Sequence, residues 1–386
     1  MPDLGQDPVR VCYVVSFFHP FASGAERQAL AQGAELARRG HTVHVITRSV
    51  PGYPIVDEEH QGIFIHRWIK TTTAGPLFGL SFVAGVMTAI TQLNSEIDVI
   101  HTHQGLWEAV ATGLARSMLG VRPTLVQPAS AGYYGEADEL RRTRAGPLLR
   151  RAILANTGFA AISAEIDRQW RELGVAPGRI VRMASGVNVQ EFHPGPSMVD
   201  ADLLPRPRVI FTGRLHPQKN LSLLLEAWAK VVRQSEANLI LVGPGNDRQR
   251  LIELAASLGI SDRVQFVGAV DSPAEYLRAA DIFVLPSVAE GMSNSLLEAM
   301  ATALPCVVSG IGGNTDLVAD GQTGRLVAQP TAEAWSNTIL ELLENPSEAR
   351  RLGSAAHQRI DREFALGVVV DRYLELYRRM IAGTWP

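Results

Sequence analysis

The chain has 386 residues, a net charge of -3 at pH 7, and 46% hydrophobic and 19% charged residues. A chain of this length is too long for a single ordinary hydrophobic core, so two domains are predicted. The small net charge gives no support to a nucleic-acid partner, and we predict none. Cys12 and Cys306 are the only cysteines, and both stand in or beside apolar runs. This context predicts buried thiols and no disulfide framework.

The most apolar segment, residues 74–90, contains one proline and three glycines. It is marginal for a membrane span, which needs roughly 20 apolar residues, so we expect a buried helix. The N-terminal residues lack a charged region followed by a cleavage site and are not typical of a signal peptide. These features predict a cytoplasmic protein.

Short apolar runs alternate with helical patterns in the first half of the chain. The runs VRVCYVVS, HTVHVITR, IDVIHTH, PTLVQP and FAAIS are typical of buried strands. Helical spacing occurs in GAERQALAQGAELARRG, which ends at Gly40, and in GLWEAVATGLARSMLG. This alternation predicts a parallel sheet with helices on both faces.

The alternation stops at residues 188–208, which hold four prolines and predict a linker. It then resumes with the apolar runs VIFTGR, NLILVGPG, VQFVGAV, DIFVLPS, PCVVSG and GRLVA, separated mostly by helical patterns. The late segment VVVDRYLELYRRMI is an amphipathic helix. The predicted fold class is therefore α/β, with two tandem Rossmann-like doubly wound domains and a ligand-binding cleft between them.

The segment TGRLHPQKN places Arg214 and Lys219 on a loop between a strand and a helix that begins near Leu221. Two cations beside a helix N-terminus suit a diphosphate. The alternative is a pair of solvated surface cations. Gly24 stands just before another predicted helix, where a glycine permits close approach of a ligand.

Two features argue against a metal site. His101 and His103 can share one face of a strand end, but metal binding needs a third ligand, and no obvious one stands nearby. The pair Asp200 and Asp202 lies in the proline-rich linker, so we interpret it as solvated acid. A role for His103 in a hydrogen-bonding pocket is the better hypothesis.

The segment AEGMSNSLLEAMA holds Glu290 and Glu298, eight residues apart. On one continuous helix that spacing corresponds to roughly 12 Å along the axis, which is too far for a pair of glycosidase carboxylates. The residues between the two glutamates instead favour the start of a helix there, with its N-cap at Ser293, Asn294 or Ser295. Glu290 would then lie in a strand-exit loop and Glu298 one turn into the helix.

These motifs resemble the retaining glycosyltransferases of family 4, which have the GT-B fold. The matching segments include SGAERQALAQGAELARRGHTVHVIT, DVIHTHQ, GVNVQEFHP, FTGRLHPQKN, LVGPG, YLRAADIFVLPSVAEGMSNSLLEAMATALPCVVSGIGGNTDLVADGQTGRLV and RYLELYR. The resemblance implies an acceptor-side domain at residues 1–190, onto which a C-terminal helix at 366–386 packs. It implies a nucleotide-sugar donor domain at residues 191–365.

The resemblance also implies roles for individual residues. Glu290 would contact the transferred sugar, while Arg214 and Lys219 would neutralise the diphosphate; these three are the predicted catalytic residues. Glu298 would bind the ribose hydroxyls. Further donor contacts would come from Gly24, Val267, Gly268, Gly291, Met292, Ser293, Asn294, Ser295 and Leu296.

The acceptor half departs from the family pattern. The family often has a pocket histidine after the corresponding strand, where this chain reads TLVQPASAGYYGE. Gln127 or Ser130 takes that place and, with His103, forms the predicted acceptor pocket. Arg141, Arg142, Arg144, Arg150 and Arg151 lie among apolar residues. They are either a solvated basic helix pair or a peripheral contact to anionic lipid.

The implied reaction is retaining transfer of a hexose-type sugar from a nucleotide diphosphate sugar to an acceptor hydroxyl. UDP-sugar is the expected donor, with GDP-sugar as the alternative, and we expect no cofactor or metal. The acceptor is a small molecule or a membrane lipid. The competing hypotheses are a nucleotide-sugar epimerase of the same fold and a non-catalytic sugar-binding protein.

Overall fold

A computed structural model describes residues 7–20, 24–53, 55–72, 76–129, 140–142 and 145–385. The chain divides into two compact units. Unit 1 comprises Met1–Gly186 and Leu366–Pro386, and unit 2 comprises Val187–Ala365. Each unit carries its own sheet.

Unit 1 alternates strands with helices. Its strands are β1 (Arg10–Val14), β2 (Thr42–Arg48), β3 (Asp57–His60), β4 (Ile63–Ile69), β5 (Val99–Thr102), β6 (Thr124–Val126), β7 (Gly158–Ala161) and β8 (Ile180–Arg182). The helices described before unit 2 are α1 (Gly24–Arg38), α2 (Pro76–Leu93), α3 (Trp107–Leu119), α4 (Gly146–Ile153) and α5 (Ala164–Glu172).

The described strands of unit 1 form one sheet in the order β3-β4-β2-β1-β5-β6-β7-β8. The neighbours are parallel except β3, which is antiparallel to β4. From β1 the chain winds to one side and from β5 to the other, so the topological switch point lies between these two strands. In doubly wound sheets, ligands bind outside the carboxyl ends of the strands at this point.

The two faces of β1 build two apolar clusters. Val11 and Tyr13 pack with the cluster that includes Ala29 of α1. Cys12 and Val14 face the opposite cluster with α2 and α3. The prediction of buried thiols is confirmed, because Cys12 and Cys306 are both free and fully buried, and burial raises the pKa of each thiol.

The apolar segment at 74–90 contributes to α2, which buries Phe82, Val86 and Ile90 and exposes Leu77 and Leu80. None of the described helices is both long and apolar enough to cross a membrane.

Unit 2 repeats the alternating pattern. Its strands are β9 (Arg208–Thr212), β10 (Asn238–Val242), β11 (Val264–Gly268), β12 (Ile282–Leu285), β13 (Cys306–Ser309) and β14 (Arg325–Val327). Its helices are α6 (Leu221–Val231), α7 (Arg248–Ser257), α8 (Ala274–Arg278), α9 (Asn294–Ala301), α10 (Gly312–Leu317), α11 (Ala332–Glu344) and α12 (Pro346–Glu363).

The sheet of unit 2 is parallel and has the order β11-β10-β9-β12-β13-β14. This is the Rossmann order, with its switch point between β9 and β12. The loop after β9 carries Arg214 and Lys219, and the loop after β12 carries Glu290. The fold therefore brings the two donor motifs of the sequence to the same point of one sheet.

The last helix, α13 (Leu366–Ile381), belongs to unit 1. Val370, Tyr373 and Tyr377 are buried in the same cluster as Tyr13 and Val45. The chain therefore returns from unit 2 to complete the core of unit 1, because the apolar face of α13 covers one side of that sheet.

Candidate active site

The loops that follow β9 and β12 are joined by two hydrogen bonds through Gln218. The backbone N–H of Val288 donates to the Gln218 carbonyl oxygen over 2.9 Å. The Gln218 side-chain amide donates to the Ala289 carbonyl oxygen over 2.8 Å. Lys219 follows Gln218 and Glu290 follows Ala289 in the chain. These bonds therefore fix Lys219 and Glu290 relative to each other. Gln218 was not predicted from the sequence, because only the tertiary pairing of the loops shows its role.

Lys219 and Glu290 form a shielded ion pair at the switch point. Lys219 Nζ lies 2.5 Å from Glu290 Oε1, and the side chains are 15% and 7% exposed. A charge-assisted hydrogen bond in such a shielded place is stronger than a surface pair. Of the predicted catalytic residues, the structure thus brings Lys219 and Glu290 into direct contact.

Arg214 is placed differently. Its side chain is exposed and has no ion-pair partner in the described part of the chain. The neighbouring Leu215 is buried, and its N–H donates to the Pro244 carbonyl over 2.7 Å. The loop is thereby anchored after β9 while the Arg214 guanidinium remains accessible to an anion.

The predicted helix start between the two glutamates is confirmed. Ser293 is the N-cap of α9, and its hydroxyl accepts from the Leu296 N–H over 3.3 Å. Glu290 lies in the loop before the cap, and Glu298 lies within the helix with 7% exposure. The other predicted donor contacts in this stretch, Gly291, Met292, Asn294 and Ser295, occupy the same loop and first helical turn.

A glycine pair after β13 approaches the Glu290 loop closely. The Gly313 N–H donates to the Glu290 carbonyl oxygen over 3.2 Å. A Cβ at Gly313 would overlap the Gly291 carbonyl oxygen, so only glycine fits there. The run GIGG in the sequence was the available signal for this approach, and the sequence analysis did not use it.

The remaining predicted donor residues lie elsewhere. Val267 and Gly268 end β11, and Gly268 has a φ of +93° while its carbonyl oxygen accepts from the Gly243 N–H over 2.7 Å. Gly24 is the first residue of α1 in unit 1. Their roles toward a donor stay predictions.

Gln218→Ala tests whether the joined loops matter for turnover. We expect kcat to fall about tenfold with a smaller change in donor KM, because the loss displaces Lys219 and Glu290 without removing either. Steady-state kinetics with the best donor of a nucleotide-sugar screen measure this change. Gln218→Asn keeps the amide but shortens its reach, and Gln249→Ala, on the exposed side of α7, is the control. An unchanged kcat in Gln218→Ala would contradict the positioning role.

Two of the predicted acceptor residues, His103 and Gln127, lie at the carboxyl edge of the sheet in unit 1. His103 follows β5 and is 1% exposed, and its ring lies 4.5 Å from Tyr13 and 4.3 Å from His101, centroid to centroid. Neither ring nitrogen of His103 has a hydrogen-bond partner within the described ranges. The shared face predicted for His101 and His103 is thus present.

His101 and Gln127 are hydrogen-bonded to the last helix. Tyr373 donates to Gln127 Oε1, and His101 Nδ1 lies 2.7 Å from the Tyr377 hydroxyl. Gln127, a predicted pocket residue, is therefore held by α13. Ser130, the other candidate for the family's histidine position, lies outside the described residues.

These histidines predict a loss of stability in acid. Burial lowers the pKa of His103 to about 3 and places the pKa of His101 well below its usual range. Between about pH 6.5 and 3 the unfolded chain binds protons that the folded chain does not, so the free energy of unfolding falls as pH falls.

We expect His103 to contribute a slope of about 1.4 kcal/mol per pH unit in that range. Urea unfolding of wild type and His103→Gln between pH 6 and 4 measures it. The slope should be shallower in the variant by about that amount. His193→Gln, at an exposed position, should leave the slope unchanged. Equal slopes for wild type and His103→Gln would overturn the prediction.

The basic segment is partly engaged within unit 1. Arg141 forms an ion pair with Glu172 at 2.6 Å, and Arg150 Nε donates to the Leu173 carbonyl oxygen over 2.7 Å. Arg144 lies outside the described residues. Across the described ranges, no three His, Cys, Asp or Glu side chains are grouped so that they could hold a metal ion.

Two family models match the chain. Residues 22–191 match "Glycosyltransferase Family 4", and residues 203–359 match "Glycosyl transferases group 1". D-inositol 3-phosphate glycosyltransferase of Nocardia farcinica is 30% identical over 375 residues, covering 87% of this chain and 80% of the relative. The chain is a glycosyltransferase of the GT-B family.

Further comparisons support the fold of this glycosyltransferase. N-acetyl-alpha-D-glucosaminyl L-malate synthase of Bacillus anthracis is 25% identical, covering 93% of this chain and 94% of the relative. The structure of sucrose-phosphate synthase from Thermosynechococcus elongatus has a TM-score of 0.83 at 25% identity, covering 97% of this chain and all of that one. The predicted GT-B class, with two Rossmann-like sheets, is confirmed.

Proposed function

We propose that this glycosyltransferase transfers a hexose-type sugar from a nucleotide diphosphate sugar to an acceptor hydroxyl with retention of configuration. The Lys219–Glu290 pair at the switch point of unit 2 is the observation that carries the proposal. It places a cation and a carboxylate, both shielded from water, where a Rossmann-like sheet binds a nucleotide ligand. UDP-sugar is the proposed donor.

In the proposed reaction, unit 2 stabilises the leaving diphosphate. Lys219 and Arg214 neutralise its developing charge, and the amides at the start of α9 contribute further donors. Glu290 accepts hydrogen bonds from the sugar hydroxyls, and Glu298 from the ribose. The departing phosphate oxygen takes the acceptor proton during attack on the same face of the sugar. Catalysis then comes from positioning and electrostatics and needs no metal.

The proposed acceptor is a small hydroxyl compound bound by unit 1. The names of the two curated relatives refer to D-inositol 3-phosphate and to L-malate. Both compounds are small and polar, and both carry hydroxyl groups. This chemistry supports a soluble acceptor over a membrane lipid.

A thermal-shift screen of the purified protein against UDP-, GDP- and other nucleotide-sugars tests the donor, because ligand binding raises apparent stability. Proton NMR of the product made from the best donor then reports the anomeric configuration. The proposal expects a retained configuration and unchanged turnover after treatment with EDTA. Inversion would overturn retention, and epimerised sugar without transfer would indicate the epimerase instead.

A further inference from the structure

Arg48 is a partly buried cation at the carboxyl edge of the unit 1 sheet. It ends β2, the neighbour of β1, and its adjacent residue Thr47 donates a hydrogen bond to the Ser16 carbonyl oxygen over 3.3 Å. Ser16 in turn donates through its hydroxyl to Glu108, which follows β5 in the first turn of α3. Thr47, the residue beside Arg48, is thus tied through Ser16 to the segments that follow β1 and β5.

Two aromatic rings lie within cation–π distance of the Arg48 guanidinium. Its central carbon lies 4.8 Å from the centroid of the Phe17 ring and 4.9 Å from that of Phe78. These contacts help to hold the guanidinium in place, and the N–H groups along the edge of a guanidinium are its hydrogen-bonding part. That edge is the part that binds a carboxylate or phosphate with two parallel hydrogen bonds.

The charge of Arg48 has no counter-ion at ion-pair distance within the described residues. Its one hydrogen bond there goes from Nη2 to the Thr71 hydroxyl over 3.0 Å, and its Nε is shielded from solvent without a partner. Burial lowers the pKa of Arg48, and Glu108 offsets this only at longer range.

Two other shielded arginines of unit 1 are paired with carboxylates, whereas Arg179 donates to the backbone carbonyl oxygens of Thr157 and Leu154. The Arg67 side chain is 1% exposed and pairs with Glu58. Arg39 is 23% exposed and pairs with Glu35 at 2.7 Å. A shielded charge is costly without a partner. Arg48 has no counter-ion among the described residues and a shielded Nε without a partner, so it differs from these ion-paired arginines and is arranged to receive an anion.

We propose that Arg48 binds an anionic group of the acceptor, a carboxylate or a phosphate, and so selects acidic hydroxyl compounds. The inference rests on the proposed function, because only that function makes the bound anion part of a sugar acceptor. Arg48 lies in unit 1, whereas the donor residues Lys219 and Glu290 lie in unit 2. We assign the anion to the acceptor because the proposed acceptor is bound by unit 1.

Calorimetric titration with inorganic phosphate tests the site without knowledge of the acceptor. All proteins carry Arg214→Gln, because that exposed cation would bind phosphate by itself. Adding Arg48→Gln should weaken phosphate binding by about tenfold or more, as expected for loss of a charge-assisted bond. Arg48→Lys keeps the positive charge but lacks the two parallel N–H donors of a guanidinium, so it should give an intermediate phosphate affinity.

The matched control is Arg38→Gln, which removes a charge from the exposed face of α1, where Arg38 is 71% exposed. It should leave phosphate affinity unchanged. Equal affinity with and without Arg48→Gln would overturn the inference, as would no phosphate binding by the protein that retains Arg48. Circular dichroism of each variant checks folding, and partial recovery in Arg48→Lys separates charge recognition from misfolding.

Acceptor pairs that differ only in the anion test selectivity. Wild type should use glycerol 3-phosphate or myo-inositol 1-phosphate with a kcat/KM at least about tenfold above the parent polyol, and Arg48→Gln should lose that preference. Equal use of charged and neutral partners by wild type would overturn the inference. Phosphate binding through Arg48 without any nucleotide-sugar turnover would overturn the proposed function but not the anion site at Arg48.

Discussion

Lys219→Met should reduce turnover by about a thousandfold or more. Lys219 is the shielded cation at the switch point of unit 2, 2.5 Å from Glu290. In the proposed reaction it stabilises charge that develops on the leaving diphosphate, and the loss of one such group typically costs about 10²–10³ in kcat. Without Lys219 the Glu290 carboxylate also lacks its partner, which adds to the loss.

The same change should lower stability, so the catalytic effect needs to be separated from folding. Removing one partner of a buried pair costs about 3–5 kcal/mol, and the 15% exposure of Lys219 places this pair near the lower end. The double variant Lys219→Met with Glu290→Gln removes both charges and should recover most of the stability. Its turnover should stay as low as in Lys219→Met.

The control for this experiment is Lys230→Met. Lys230 pairs with Glu333 at 2.7 Å, but the side chains are 43% and 66% exposed. An exposed pair contributes about 0–1 kcal/mol, so stability and turnover should both change little. Turnover that recovers in the double variant together with stability would assign Lys219 a structural role and contradict the proposal.

Glu290→Gln should lower kcat by about a hundredfold. The carboxylate is 7% exposed, holds Lys219 and faces the loop where the transferred sugar is proposed to bind. The amide keeps the shape and can still accept a hydrogen bond from Lys219, but without the negative charge this bond is weaker, so the geometry at the reacting sugar loosens. Kinetics with the best donor of the screen measure the separate effects on kcat and KM.

Glu298→Gln provides the comparison, because this residue is proposed to bind the ribose in both ground and transition states. Loss of such uniform binding raises donor KM by about tenfold with little change in kcat. If Glu290→Gln raises KM alone, and Glu298→Gln lowers kcat alone, the two roles are assigned the wrong way round.

The sequence by itself determined the strand–helix alternation, the buried thiols and the helix start after Glu290. These features depend on local periodicity and on capping chemistry, as Ser293 shows. It did not predict β3, β4 and β8. The four-residue β3 pairs only with β4, at the edge of the sheet, and β8 has three residues. Short edge strands carry a weak sequence pattern, which accounts for β3 and β8 but not for the seven-residue β4 inside the sheet.

Tertiary structure alone decided which residues meet. The strand order, set by packing of helices on both faces of each sheet, brings the loops after β9 and β12 together and pairs Lys219 with Glu290, 71 positions along the chain. It also places α13 against Gln127 and brings Arg48 into contact with the rings of Phe17 and Phe78. Local sequence cannot encode such contacts by itself, because each depends on distant segments that only the folded sheets bring together.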